Sequence, residues 1–236
     1  TYENEREVKL EEEKKEDPSK DDKEQELEKY SDGVQRRIAK LTHKWREAES
    51  QKDESLTFAS HIISRVSGCI PIVVGVSGAS LDNMRRLSHS VMDAGASGVM
   101  VAPMPGLVTE AKLDQYYKLV CKELGPEVPI CLQDYPQTTG VQFSVETIIK
   151  LTRENEQIVM LKHEDWPGLT KLSRVRAETD TSSIPRVSIL VGNAALFLPQ
   201  ELQRGADGAM TGFAYPEMLV KVVDLHKAGQ ADLAED

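Results

Sequence analysis

The residue best placed to do chemistry is a lysine that ends an apolar run. Residues 158–161 (Ile-Val-Met-Leu) are apolar, and Lys162, His163, Glu164 and Asp165 follow them directly. A continuous apolar run of this length is typical of a strand buried on both faces. A lysine at the end of such a strand would be partly removed from water, which favours the neutral amine. Because a neutral amine attacks carbonyl carbon, the pattern fits a lysine that forms a Schiff base.

The same residues are also compatible with two roles that need no Schiff base. In the simpler one, Lys162 begins a solvated loop and pairs with Glu164 or Asp165. In the second, Glu164 and Asp165 join Asp134 around a magnesium ion, because hard cations prefer carboxylate oxygens. Which of these roles applies depends on the strands and helices that position residues 158–165.

Length and composition limit the class of protein. The chain has 236 residues and a net charge of −10, which argues against nucleic acid and anionic membranes as partners. Its apolar runs are much shorter than the roughly 20 residues that span a bilayer. Three cysteines without CxxC spacing indicate neither a disulfide framework nor a zinc site. A soluble, cytoplasmic protein is expected.

Residues 1–52 differ in composition from everything that follows. Most side chains in the first 30 residues are charged, so this part has too little apolar surface to offset its ordering entropy and is expected to be disordered or a solvated helix. Val34, Ile38, Leu41 and Trp45 then recur at helical spacing. They predict an amphipathic helix that binds its own copy or the body of the protein. The main domain is predicted to cover residues 53–236.

Apolar runs alternate with helical patterns six times in this main domain. The runs begin near Ile70, Gly98, Pro129, Ile158, Val187 and Gly208. Such alternation predicts a parallel sheet, either open and doubly wound or closed as a (β/α)8 barrel. No GxGxxG or GxxxxGK[ST] sequence follows a predicted strand, which counts against the nucleotide-binding open sheets. In both folds ligands bind at the carboxyl ends of the strands, where Lys162 is expected.

Several segments, taken in order along the chain, resemble the sequence pattern of a known family. They are residues 71–76, residues 95–98 with Val101-Ala102-Pro103, residues 129–136 with Thr139-Gly140, the strand of Lys162 and residues 205–208. Over about residues 56–230 the chain resembles the dihydrodipicolinate synthase and N-acetylneuraminate lyase family of class I aldolases. The resemblance implies an α/β fold, a TIM barrel of which six βα units are present. It also implies a lyase or dehydratase that acts on a small-molecule 2-oxo acid through a Schiff base, without a cofactor, and that forms a homo-oligomer.

The resemblance assigns roles to particular residues. Lys162 takes the Schiff-base position, and Tyr135 and Glu164 are expected to transfer protons. Glu164 lies on the same side of an extended strand as Lys162, whereas His163 and Asp165 alternate away. Substrate-binding residues are expected in the loops of the same face, and they are Gly75, Ser77, Gln133, Asp134, Asn193 and Thr211.

The chain departs from the family pattern in two places. Gln133 stands where the family has its usual catalytic tyrosine, which argues against dihydrodipicolinate synthesis itself. The family's first two strands, with the loop that binds the substrate carboxylate, have no counterpart. An inactive barrel remnant that serves as an interaction protein, with Lys162 idle, is therefore an alternative.

Overall fold

The computed structural model describes residues 32–181 and 186–235. The disorder or solvated helix expected for the first 30 residues lies outside these described residues. The structure divides between Glu54 and Ser55 into two compact units, and each unit is described by itself.

The first helix is longer than the sequence predicted. α1 runs from Asp32 to Val66 as one helix of 35 residues, whereas the spacing of apolar residues predicted two helices, one from Val34 to Trp45 and one from about Leu56 to Val66. Residues 46–55 contain neither glycine nor proline, so nothing in the sequence ends the helix there. In the first unit, Val34 and Leu41 are exposed; in the second, Ile63 belongs to the core.

Six strands and the helices that follow them form the second unit. The strands are β1 (Val73–Gly75), β2 (Gly98–Val101), β3 (Ile130–Asp134), β4 (Ile158–His163), β5 (Ser188–Val191) and β6 (Gly208–Ala209). The helices are α2 (Leu81–Asp93), α3 (Glu110–Leu124), α4 (Pro136–Thr139), α5 (Val145–Glu154), α6 (Leu169–Thr179), α7 (Leu198–Leu202), α8 (Pro216–Lys227) and α9 (Ala231–Glu235), with a 3-10 turn at Asn193–Ala195. None of the described helices combines the length and the apolar character needed to cross a membrane.

The strand order identifies the type of sheet. All pairs are parallel, and the order is β1-β2-β3-β4-β5-β6, so each strand lies beside its neighbours in sequence. A doubly wound sheet would reverse its order at a switch point, and this sheet does not. The expected incomplete (β/α)8 barrel is therefore confirmed, with β1 and β6 at its two edges.

Local signals place three of the helix starts. The side chains of Ser80, Thr109 and Ser144 each accept a hydrogen bond from a backbone N–H in the first turn of α2, α3 and α5. A cap of this kind stabilises a helix by about 1 kcal/mol. The caps therefore help set where each chain segment leaves the ligand-binding end of the sheet.

Alternation along the strands separates two environments around β4. Leu161 and His163 are buried on the side that faces the helices, with Leu132 and Asp134 of β3 beside them. Lys162 and its neighbour Gln133 lie on the opposite, inner face of the barrel, where only a minor part of the Lys162 side chain is exposed. Each face of β4 therefore carries its own set of polar side chains.

Candidate active site

Lys162 forms a nearly buried pair with Glu164. The Lys162 Nζ atom lies 3.3 Å from Oε1 of Glu164, and the two side chains are 14% and 8% exposed. The β3–β4 register places Gln133 beside Lys162, and Gln133 Nε2 donates a 2.7 Å hydrogen bond to Glu164 Oε2. One oxygen of the carboxylate therefore contacts the lysine, and a neutral amide holds the other.

Backbone contacts fix Glu164 although it lies one residue beyond β4. Its N–H donates to the carbonyl of Asp134 over 2.8 Å, and its own carbonyl accepts a 3.0 Å hydrogen bond from Asn193 Nδ2. Asn193 is the first residue of the 3-10 turn that follows β5. The predicted residues Lys162, Gln133 and Asn193 therefore all contact Glu164.

A glycine that sequence reasoning did not assign to the site makes this approach possible. A Cβ atom at Gly192 would lie 2.2 Å from Cγ of Glu164 and 2.3 Å from its Oε1. Any other residue at this position would force the carboxylate away from Lys162. The only signal in the sequence was the Gly192-Asn193 pair at the end of a predicted strand, which is also common in ordinary turns.

The arrangement suits amine chemistry. An ammonium group must lose a proton before it attacks a carbonyl carbon, and a carboxylate within 3.3 Å can accept that proton. The low exposure of both groups strengthens their electrostatic interaction compared with a pair in water. Lys162 and Glu164 therefore have the geometry of a nucleophile with its base.

Three predicted substrate-binding residues lie at the same end of the sheet but make no hydrogen bond to these groups. Gly75 ends β1 and is exposed. Ser77 Oγ accepts a 2.8 Å hydrogen bond from the N–H of Ala102, and Ser77 lines a cavity of about 250 Å³. Thr211, just after β6, lines a separate groove of about 370 Å³ along α8.

Asp134 and Tyr135 do not join the Lys162 pair. Asp134 is fully buried on the helix-facing side of β3, with its Oδ2 2.5 Å from Nζ of Lys171. Tyr135 has backbone angles of φ −130° and ψ 71° at the start of α4, so it has already left the strand and alternation no longer determines its side. Its hydroxyl makes no hydrogen bond to the described residues, and its ring is half-buried.

Carboxylates considered for a magnesium ion are each paired with a lysine. Glu164 faces Lys162, and both Asp134 and Asp165 face Lys171. Within residues 32–181 and 186–235, no three His, Cys, Asp or Glu side chains are grouped so that they could hold a metal ion. The magnesium hypothesis therefore gains no support from the placement of these groups.

Comparison with known proteins gives a consistent set of relatives. The family model described as "Dihydrodipicolinate synthetase family" matches residues 47–236. The probable 2-dehydro-3-deoxy-D-pentonate aldolase YjhH of Escherichia coli is 29% identical over 184 residues, which cover 77% of this chain and 59% of that protein. The L-2-keto-3-deoxyarabonate dehydratase of Azospirillum brasilense is 28% identical over 185 residues, covering 76% of this chain and 58% of that protein.

A solved structure agrees in fold. The dihydrodipicolinate synthase of Rhodopseudomonas palustris superposes with a TM-score of 0.75 and 45% identity, covering 78% of this chain and 61% of that one. The chain thus spans about six-tenths of the length of the relatives it matches.

Proposed function

Because the chain belongs to the dihydrodipicolinate synthetase family, we propose that it is a class I aldolase-type lyase or dehydratase, which forms a Schiff base between Lys162 and a small-molecule 2-oxo acid. The observation that carries the proposal is the contact of 3.3 Å between the nearly buried Lys162 and Glu164 at the carboxyl end of β4. Relatives named as an aldolase and as a dehydratase support both carbon–carbon and carbon–oxygen cleavage as reaction types. The reaction of the whole protein and its association into a homo-oligomer are part of this proposal.

Schiff-base formation uses Lys162 and Glu164 in turn. Glu164 accepts a proton from the Lys162 ammonium, and the neutral Nζ then attacks the carbonyl carbon of the 2-oxo acid. The resulting carbinolamine loses its hydroxyl as water when Glu164 returns the proton, which leaves a protonated imine. Gln133 keeps the carboxylate oriented during both transfers, because its amide binds the oxygen that faces away from Lys162.

The protonated imine then withdraws electrons from the neighbouring carbon, C3. In a lyase the C3–C4 bond breaks as the C4 hydroxyl loses its proton, and the electron pair passes to the imine. In a dehydratase a base removes a proton from C3, and the C4 hydroxyl leaves as water. Glu164 and Tyr135 are the candidates for these transfers, and Asn193, Gly75, Ser77 and Thr211 are proposed to contact more distant parts of the substrate.

Reductive trapping with pyruvate tests the proposal. Borohydride reduces an imine to a stable amine, so the wild-type protein should gain one covalent adduct, which peptide mapping should locate on Lys162. Lys162→Ala should lose the adduct. Lys150→Ala should keep it, because Lys150 is an exposed lysine on α5 that pairs with Asp114.

Each remaining outcome has a distinct meaning. An equal adduct on the Lys162→Ala protein would contradict the Schiff-base hypothesis. Turnover that depends on magnesium and is abolished by EDTA would favour the metal-dependent alternative. A folded wild-type protein that forms no adduct would favour the barrel remnant that acts as an interaction protein.

A further inference from the structure

A second set of charged side chains is buried on the opposite side of β4 from Lys162. We call it the positioning cluster, and it consists of Asp134 at the end of β3, His163 at the end of β4, Lys171 on α6 and Glu201 on α7. Asp134 and His163 are almost completely buried, and Lys171 and Glu201 expose about a tenth of their surface. Buried charges are costly unless they are paired, so four such groups behind the proposed nucleophile need an explanation.

The contacts within the cluster fix the position of one ring proton of His163. Asp134 Oδ2 lies 2.5 Å from Lys171 Nζ and 3.5 Å from His163 Nδ1. His163 Nε2 lies 3.1 Å from the carbonyl oxygen of Gly168. Because a carbonyl only accepts, Nε2 must carry a proton and donate it. The other ring nitrogen, Nδ1, faces the Asp134 carboxylate.

Glu201 adds a second titratable group beside the imidazole. Burial raises the pKa of Glu201 to about 7, and the nearby His163 opposes that rise. Its Oε2 has no hydrogen-bond partner among the described residues. Three other charged or titratable groups lie around Asp134 and His163. They are Lys171, its second partner Asp165 and the buried hydroxyl of Tyr117 on α3. Burial raises the pKa of Tyr117, and the charge of Asp134 adds to that rise.

His163 links this cluster to the proposed active site through the backbone. It stands between Lys162 and Glu164 in the chain, and its carbonyl accepts a 3.0 Å hydrogen bond from the N–H of Gly192. The Asp134 carbonyl accepts from Glu164 N–H over 2.8 Å. A shift of His163 or Asp134 would therefore move the backbone that carries both members of the Lys162–Glu164 pair.

We propose that Asp134, His163, Lys171 and Glu201 are positioning residues that hold Lys162 and Glu164 in contact and make the reactivity of Lys162 depend on whether Glu201 carries its proton. The inference rests on the proposed function. With Lys171 balancing Asp134, loss of the Glu201 proton leaves more negative charge behind Lys162, which favours its unreactive ammonium form. The reactivity of Lys162 should therefore change near pH 7, where Glu201 loses its proton.

The test measures the reactivity of Lys162 in two ways from about pH 6 to about pH 9, a range chosen because histidines and shifted carboxyls change charge within it and the pKa of Glu201 is raised to about 7. One readout is the rate of trapping with pyruvate and cyanoborohydride at several pyruvate concentrations. The other is acetylation of Lys162 by limiting acetic anhydride without substrate, quantified by peptide mapping. The second readout needs no Schiff base, so it separates failure of this inference from failure of the proposed function.

Lys171→Met should lower the trapping rate at saturating pyruvate by about tenfold or more, because misalignment of reacting groups has effects of this size. The pyruvate concentration that gives half the maximal rate should change by less than about twofold, because the cluster does not contact substrate. Lys171→Arg, which keeps the charge, should recover most of the rate. Glu201→Gln should remove the inflection near neutral pH from both readouts.

A matched control is available on α3. Lys118 also contacts two carboxylates, Asp114 and Glu154, each at 3.0 Å, but it is half exposed and lies on another helix. Lys118→Met should leave both readouts unchanged.

Wild-type rates and an unaltered pH profile in both Lys171→Met and Glu201→Gln would overturn the inference. If circular dichroism shows that Lys171→Met does not fold, the isosteric Glu201→Gln decides alone. If the wild type forms no adduct, the proposed function fails, and the acetylation profiles of the same variants still decide the inference.

Discussion

Arg176 at the amino end of the sheet and Lys162 at its carboxyl end are both nearly buried cations, and they differ in how completely they are paired. At the amino end, Arg176 of α6 is 7% exposed and forms ion pairs with Asp207 and Asp180. It also donates hydrogen bonds to the carbonyls of Gly205 and Val187. At the carboxyl end, Lys162 has one carboxylate partner in the described part of the chain. A cation that donates from all three of its nitrogens supports structure, whereas an amine with one carboxylate partner keeps room for a substrate atom.

The chemistry of the two side chains explains the division. Arginine cannot release its proton in a protein and presents several donors in a rigid plane, which suits a permanent network. Asp207 completes this network, since its Oδ2 also accepts from the N–H of Ile189 over 2.8 Å. Lysine has a compact amine that becomes a nucleophile when it loses its proton. Buried charge therefore has different consequences at the two ends of one sheet.

The strongest test of this comparison is Arg176→Met. It should lower the free energy of unfolding by about 3 kcal/mol or more, because it leaves the partly buried Asp207 with fewer partners. Urea denaturation would measure the loss. Trapping at Lys162 should continue wherever the variant is folded.

Arg174→Met is the matched control on the same helix. Arg174 is more than half exposed and pairs with Glu146 at 2.6 Å, so its removal should change stability by less than about 1 kcal/mol. Equal losses in both variants would mean that burial of the network does not matter.

The next largest effect is expected for Glu201→Gln and depends on pH. Burial raises the folded-state pKa of Glu201 to about 7 from its ordinary value of 4.5, so the folded protein binds this proton more tightly than the unfolded chain does. The resulting stabilisation is complete below the unfolded pKa and is lost as pH rises through about 7. Since one pKa unit corresponds to about 1.4 kcal/mol, the free energy of unfolding should fall by up to about 3 kcal/mol as Glu201 ionises.

The side chain introduced by Glu201→Gln cannot ionise, so this variant should not lose stability as pH rises through about 7. Its free energy of unfolding should exceed that of the wild type near pH 8 by up to about 3 kcal/mol, and the difference should shrink towards pH 5. Chemical denaturation across this pH range would measure it. Parallel curves for the two proteins would show that Glu201 does not titrate differently in the folded state.

Gly192→Ala tests the carboxyl end of the sheet. It should change stability less than Arg176→Met or Glu201→Gln does. The added methyl would overlap Cγ of Glu164 at 2.2 Å, and overpacking of this kind costs about 1–3 kcal/mol. Because the carboxylate must move from Lys162, trapping with pyruvate should slow much more than stability falls. Gly208→Ala is the control, because a Cβ there meets only a methyl carbon of Leu190, at 3.5 Å. Normal trapping in Gly192→Ala would mean that the Lys162–Glu164 contact is not required.

Signals that act within a few residues determined most of the fold from the sequence. The apolar runs and helical spacings predicted six βα units, and the local caps Ser80, Thr109 and Ser144 begin three of the helices in the structure. The position of Lys162 at the end of a strand, with Glu164 on its side, followed from the same local pattern. The continuity of α1 was missed because its polar middle, residues 46–55, has no periodic apolar face, although it also lacks a residue that ends a helix.

Contacts between distant segments were decided by the tertiary structure alone. Gln133 reaches Glu164 across 31 positions of sequence, and Lys171 takes Asp134 as its partner. Gly192 admits the Glu164 side chain. Each contact depends on the register of neighbouring strands and on the docking of α6 against them, and neither leaves a periodic trace in the sequence. The sequence by itself therefore determined the strand end that carries Lys162, and packing decided which groups surround the amine, because charge pairing acts through space.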